Sequence, residues 1–214
     1  MNIDLAQMRK EYQQRALLEN EIDSDPIVQF QKWFTEARAA NVPEPEAMTL
    51  ATCTPAGEPS ARIVLLKGCD QRGFVFFTNY DSRKGRELVH NSAASLVFWW
   101  VALERQIRIE GCTEKTSAEE SDEYFCTRPR GSQLGAWAST QSQIAPSRDA
   151  IESRLQALEK EYENRAVPRP PHWGGFRVIP VTIEFWQGRL NRLHDRLRYR
   201  KSEDGDWIIA RLWP

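Results

Sequence analysis

The 214-residue chain has no apolar run approaching the roughly 20 residues that a membrane-spanning helix needs. Its first residues, MNIDLAQMRKEY, lack the basic start and apolar stretch of a secretion signal, so a cytoplasmic protein is expected. Cysteines are few. Cys53, Cys69, Cys112 and Cys126 are widely spaced and form no C-x-x-C pair. Zinc binding and thioredoxin-like redox chemistry are therefore not indicated, and free thiols in a reducing compartment are the simplest account. No G-x-x-x-x-G-K stretch occurs, which removes the P-loop nucleotidases. There is no excess of either charge: 29 Lys and Arg face 30 Asp and Glu. A general nucleic-acid binder would show a basic surplus, although a local basic patch stays possible. No internal repeat and no long low-complexity segment is present.

An apolar share of 41% is enough to build a real core, and eight tryptophans offer aromatic surface for a core, a planar ligand or an interface. Residues 1–23 are polar and helix-prone and are expected to form a mobile arm or a late-docking helix. A helix follows, capped by Ser24 or Asp25, with Pro26 in its first turn and Ile27, Phe30, Trp33 and Phe34 as its apolar stripe. The texture then changes to closely spaced strands: AMTLATCT, ARIVLLKG, FVFFTN, SAASLVFWWVAL and ERQIRIEGCTEKT, with a short helix at SRKGRELVHN capped by Ser82. SAEESDEYFCTRP reads as a helix with a capping box from Ser117 to Glu120, and GSQLGAWASTQSQ as a loop. Residues 147–164 read as an amphipathic helix with Ile151, Leu155, Leu158 and Tyr162 inward. PRPPHWGG reads as a rigid linker before three terminal strands, FRVIPVTIEFWQG, LNRLHDRLRYRKS and DWIIARLWP. The expected fold is a single α+β domain of residues 24–214 around a mostly antiparallel β-barrel.

Three clusters could carry chemistry. In the first, Arg62 and Lys67 bracket a strand, and Arg83 and Lys84 open a helix. Cations in a first turn oppose the helix macrodipole, so a phosphate held there would account for them. In the second, Tyr124 and Arg128 are spaced to share a helix face and Ser132 follows; spacing alone favours an ordinary capped helix end. In the third, NRLHDRLRYR sets Arg192, His194, Arg196 and Arg198 at period two, either a solvated strand face or a row aimed at an anion. Neighbouring arginines would favour a neutral His194.

Taken together, the stretches RIVLLK, SRKGRE, LERQIRIEG, RPRGSQLGAWASTQS, WGGFRV and IEFWQGRLNRLHDR resemble the pyridoxamine/pyridoxine 5′-phosphate oxidase family, in one order and over nearly the whole chain. The resemblance implies an FMN-binding split β-barrel, working as a homodimer with FMN at the subunit interface. It implies oxidation of pyridoxamine or pyridoxine 5′-phosphate to pyridoxal 5′-phosphate, with O2 as acceptor and H2O2 as product. Hydride is expected to pass from substrate C4′ to flavin N5. By similarity, the FMN contacts are Arg62, Ile63, Val64, Leu65, Leu66, Lys67, Phe77, Thr78, Arg83, Lys84, Gln106, Gln141, Ser142, Trp186 and Arg196. Many relatives carry tyrosine where Phe77 stands. The substrate phosphate is expected on Lys67, Tyr124, Arg128 and Ser132, and its ring against Arg192 and His194, the expected catalytic pair. Arg9 and Tyr12, in the MRKEY arm, resemble a lid over bound substrate. Related flavin oxidases of phenazine biosynthesis share the R-L-H-x-R stretch. They tend to lack the lysine ending RIVLLK and the R-P-R-x-S-Q run, both present here.

Overall fold

The computed structural model describes residues 11–12 and 15–214. Among the described residues, nine strands and five α-helices follow one another in the order α1 (Pro26–Ala39), β1 (Ala47–Cys53), β2 (Pro59–Leu65), β3 (Gly68–Asp70), β4 (Gly73–Asn79), α2 (Arg83–His90), β5 (Ala93–Trp100), β6 (Arg105–Lys115), α3 (Ala118–Thr127), α4 (Arg130–Ala138), α5 (Arg148–Glu161), β7 (Trp173–Gln187), β8 (Asp195–Lys201) and β9 (Trp207–Arg211). The strands hydrogen-bond in the order β2-β1-β5-β6-β7-β4-β3, with β8 paired to β7 and β9 to β8. The β3–β4, β4–β7, β7–β8 and β8–β9 pairs are antiparallel; short connections join β3–β4, β7–β8 and β8–β9, whereas β4–β7 is a long-range pair. No helix among the described residues is long and apolar enough to cross a membrane.

The chain forms two compact units. The first comprises residues up to 49, with 95–110 and 180–214; the second comprises 50–94 and 111–179. In the first unit, Asp25 caps α1 by accepting from the Ile27 and Val28 amides. The α1 stripe then buries Phe30 against Phe98 (5.2 Å between ring centroids) and Trp33 edge-on to Phe185 (5.2 Å). The segment at 15–23 carries no helix; Leu17 is buried, its amide donates to Asp195, and its carbonyl accepts from Arg211.

In the second unit, Phe125, Leu134, Ala136, Val167 and Trp173 form a buried cluster, with Leu155, Leu158 and Tyr162 packed on it. Ser117 caps α3 by accepting from the Glu120 amide, and Ser147 caps α5 by accepting from the Ala150 amide. The β7 glycines answer a steric need. A Cβ on Gly174 would lie 2.1 Å from the Tyr80 hydroxyl, and one on Gly175 would lie 2.5 Å from Thr116 Oγ1.

Several expectations are corrected. GSQLGAWA is not a loop but lies in α4: burial of Leu134, Ala136 and Ala138 outweighs the poor helix propensity of Gly131 and Gly135. WGG belongs to β7 rather than to a linker, because Trp173–Gly175 pairs with Phe77–Asn79 of β4. Ile151 of α5 is exposed, not inward. The residues around Gln71 are flanked by a short extra strand, β3. The period-two stripe is interrupted too. Leu190–Arg192 is a 3₁₀ turn in which Asn191 and Arg192 have φ near +60°, and β8 begins only at Asp195. Arg192 and His194 therefore leave the strand, and only Arg196, Arg198 and Arg200 share one of its faces.

Candidate active site

A pocket of about 820 Å³ lies in the second unit, within the size range of small-molecule sites. Strand β2 and the residues after it bring Arg62, Ile63, Val64, Leu65 and Lys67 to its wall. Leu66 is not part of that lining and is buried. Strand β4 supplies Phe77 and Thr78, and the start of α2 supplies Arg83 and Lys84. The end of α3 and the first turns of α4 supply Tyr124, Arg128 and Ser132, and the stretch after α4 supplies Gln141 and Ser142. Thus Ser132 stands on a helix, and Arg128 is the residue that terminates α3.

One side of the pocket is built around Lys84. Its Nζ donates to Thr78 Oγ1 (3.0 Å), Gln141 Oε1 (2.9 Å) and, at 3.5 Å, Ser82 Oγ, all neutral acceptors. Burial, with Arg62 nearby, pushes its pKa down to about 8. Beside it, the Arg62 guanidinium donates to the Leu50 carbonyl (3.3 Å), Thr52 Oγ1 (2.5 Å), Ser60 Oγ and Glu87 Oε2 (3.2 Å). Arg83 donates from Nε to Glu87 Oε1 (2.8 Å), which leaves its terminal nitrogens outward; its side chain is 57% exposed. Burial would raise the Glu87 pKa, but hydrogen bonds from Ser60, Thr52, Arg83 and Arg62 prevail and hold it at about 2.

The other side is an aromatic shelf. Phe77 stacks on Tyr124 (4.0 Å, 16° between planes) and on Trp173 (5.4 Å, 9°). The Arg128 guanidinium lies 4.5 Å over the Trp173 ring and 5.4 Å from that of Phe125. Its Nη1 is buried and has no hydrogen-bond partner. Burial lowers the Arg128 pKa, with Tyr124 opposing; burial raises that of Tyr124, with Arg128 opposing. A buried guanidinium nitrogen without an acceptor is costly unless an anion completes it.

The remaining predicted residues lie in the first unit, except Arg9, which lies outside the described residues. Trp186 and His194 pack at 4.6 Å, and Tyr12 stands 5.9 Å from each. Gly188 makes room for Tyr12, since a Cβ there would lie 2.8 Å from the Tyr12 Cβ. His194 Nδ1 accepts from the Arg189 amide (3.1 Å), which puts the proton of a neutral ring on Nε2. Burial and then Arg192 lower the His194 pKa, against Asp195. Arg192 is exposed. Arg196 is held by Glu184 (2.8 and 3.2 Å) and by the Trp213 carbonyl, and Gln106 is half-buried on β6. Arg198 is not simply a surface charge: its Nε is buried without a partner.

Sequence reasoning missed Glu87, Thr52, Ser60 and Trp173. Glu87 had a usable signal, standing four residues after Arg83 on the same helix. Trp173 had none, because its contact with Arg128 is long-range. The donor set fits FMN. Lys84, which has only neutral partners, offers unneutralised cation to one phosphate beside the Glu87-paired Arg62 and Arg83, and Arg128, beside Tyr124 and Ser132, offers a second, separate anion seat.

The family profile described as pyridoxamine 5′-phosphate oxidase matches residues 34–162, and that of the pyridoxine 5′-phosphate oxidase C-terminal dimerisation region matches residues 173–214. A pyridoxine/pyridoxamine 5′-phosphate oxidase of Nostoc punctiforme is 58% identical over all of both chains. One of Rubrobacter xylanophilus is 60% identical over 99% of this chain and 97% of its own. Among solved structures, PhzG of Burkholderia lata, in complex with tetrahydrophenazine-1-carboxylic acid, superposes with a TM-score of 0.88 at 34% identity, covering 93% of this chain and 98% of its own. A pyridoxamine 5′-phosphate oxidase-related FMN-binding protein of Nostoc punctiforme superposes with a TM-score of 0.71 at 15% identity, covering 90% and 100%, a likeness of fold. With both halves matched in sequence and the split-barrel architecture matched in space, the chain belongs to the pyridoxamine 5′-phosphate oxidase family.

Proposed function

We propose that the protein is an FMN-dependent oxidase that converts pyridoxamine or pyridoxine 5′-phosphate to pyridoxal 5′-phosphate, reducing O2 to H2O2. It acts as a homodimer with FMN at the subunit interface, in the reducing cytoplasm that its free thiols suit. The observation that carries this reading is the pair of separate cationic seats in one pocket, above all the buried, unpartnered Nη1 of Arg128. Substrate and cofactor each bear a phosphate, and a chain of net charge −1 has placed its cations accordingly.

FMN, when bound, would supply the redox chemistry, as acceptor of the substrate hydride and donor of the electrons to O2. The protein binds and orients. Arg62, Arg83 and Lys84 hold the cofactor phosphate; residues 63–67, Phe77, Thr78, Gln106, Gln141, Ser142, Trp186 and Arg196 hold the rest. Lys67, Tyr124, Arg128 and Ser132 fix the substrate phosphate, so that binding energy far from the reacting carbon sets its position. Arg192 and a neutral His194, with its proton on Nε2, hold and polarise the pyridine ring. By the family resemblance, Arg9 and Tyr12 of the arm of residues 1–23 would cover the substrate bound to the domain of residues 24–214.

The similarity to PhzG, whose structure holds tetrahydrophenazine-1-carboxylic acid, makes a reduced phenazine acid, such as a dihydrophenazine acid, the competing substrate class. Lys67 and the R-P-R-G-S-Q run favour a phosphate ester instead. Turnover of pyridoxamine 5′-phosphate, of its unphosphorylated form and of a dihydrophenazine acid decides. The phosphorylated amine is expected to be oxidised by far the fastest; preference for the dihydrophenazine would overturn the reading.

A further inference from the structure

We propose that Glu87 is a positioning residue: its buried carboxylate holds Arg62 and Arg83 in the geometry that receives the FMN phosphate. The inference rests on the assignment of those two arginines and Lys84 to that phosphate.

Glu87 stands on α2, on the side away from solvent; its side chain is only 6% exposed. Each of its oxygens has a defined duty. Oε1 accepts from Arg83 Nε at 2.8 Å. Oε2 accepts from Thr52 Oγ1 at 2.5 Å, Ser60 Oγ at 2.6 Å and Arg62 at 3.2 Å. The two hydroxyls also accept from Arg62, through Nη1 and Nη2 respectively. A hydroxyl has one proton to give, and here the carboxylate takes it, so each lone pair is turned toward the guanidinium. The carboxylate thereby orients both hydroxyls, and the hydroxyls and the Leu50 carbonyl pin the Arg62 fork. Four of the five N–H groups of Arg62 are committed to this frame, and its plane cannot rotate without breaking several bonds at once.

Two roles for such a carboxylate predict opposite signs. A negative charge beside a phosphate site repels the phosphate, so a Glu87 that merely neutralised excess cation would hinder FMN, and its removal would tighten binding. A Glu87 that aims the arginines would weaken FMN binding when removed, although the site then gains positive charge. Gln is nearly isosteric, and its amide oxygen can still take the hydroxyl protons. Its amino group, however, would face the Arg83 Nε–H donor to donor, and Arg83 would be released.

FMN and riboflavin differ only in the phosphate, which makes their affinity ratio a readout that a general loss of packing would not move. The apoprotein is titrated with each flavin, following quenching of flavin fluorescence, for the wild type, Glu87→Gln, Ser60→Ala and Arg62→Ala. Ser60→Ala removes one strut without changing any charge, and it decides the matter should Glu87→Gln fail to fold. In both variants the FMN-over-riboflavin preference is expected to fall about tenfold or more, with riboflavin binding changed less than about twofold. A preference unchanged or raised in both, while Arg62→Ala lowers it, would overturn the positioning role and leave the phosphate assignment standing. No change in Arg62→Ala either would overturn the phosphate assignment, and this inference with it.

Discussion

At the scale of single residues, Arg128 and Lys84 are cations whose environments are incomplete without an anion. Arg128 is supported by the Trp173 face, yet its Nη1 has no acceptor. Replacing it with methionine removes a desolvated charge and keeps an apolar contact with the ring. Arg128→Met is therefore expected to leave the thermal midpoint of the ligand-free protein unchanged or higher, while kcat/KM for the phosphorylated substrate falls about 100-fold or more. A lowered midpoint with normal turnover would show that Arg128 is structural. Lys84 makes a prediction about pH. Its pKa in the free protein is about 8, down from 10.5. A bound phosphate favours the ammonium and must raise that value again, so above pH 8 FMN binding takes up a proton. FMN affinity should fall as pH rises from about 8 toward 10. Calorimetry at pH 8.5 in buffers of different ionisation heat should detect the proton, and Lys84→Met should abolish its uptake. Arg192→Ala tests a different duty: kcat/KM should drop strongly while FMN stays bound, which absorbance of the purified protein reports.

At the scale of elements, the parts with local causes were legible in the sequence. The Asp25, Ser82 and Ser117 caps sit where a side-chain oxygen precedes a helical pattern, and each accepts from an amide two or three residues on. Helix α4 was not legible, because its glycines argue against a helix and only tertiary burial of Leu134 and Ala136 decides the matter. The same holds for Trp173: proximity to PRPP suggests a linker, but the ladder with β4 is long-range. The cationic residues of the pocket were visible as types, whereas the carboxylate and hydroxyls behind Arg62 come from three separate segments. The WGG stretch offers a stability test at this scale. Gly174→Ala places a methyl against the Tyr80 hydroxyl and is expected to cost about 1–3 kcal/mol in urea unfolding, part of it regained in a Tyr80→Phe background. An unchanged midpoint would mean that β4 and β7 can separate enough to admit a side chain.

At the scale of the whole molecule, a nearly neutral chain binds two anionic ligands by sorting its charges rather than by gathering a surplus. Several carboxylates pair with arginines away from the pocket: Asp70 and Glu120 with Arg177, Glu36 with Arg105, Glu184 with Arg196. Lys84 has only neutral partners, and the Arg128 Nη1 has none. Exposed apolar residues such as Ile63, Val101 and Ile208 suit the dimer that the C-terminal dimerisation region implies. All of this converges on one reaction, and the flavin spectrum reports it directly. Under anaerobic conditions, pyridoxamine 5′-phosphate added to the yellow FMN-loaded protein should bleach the flavin absorbance, and air should restore it with release of H2O2. A spectrum that stays yellow under saturating substrate would contradict the account.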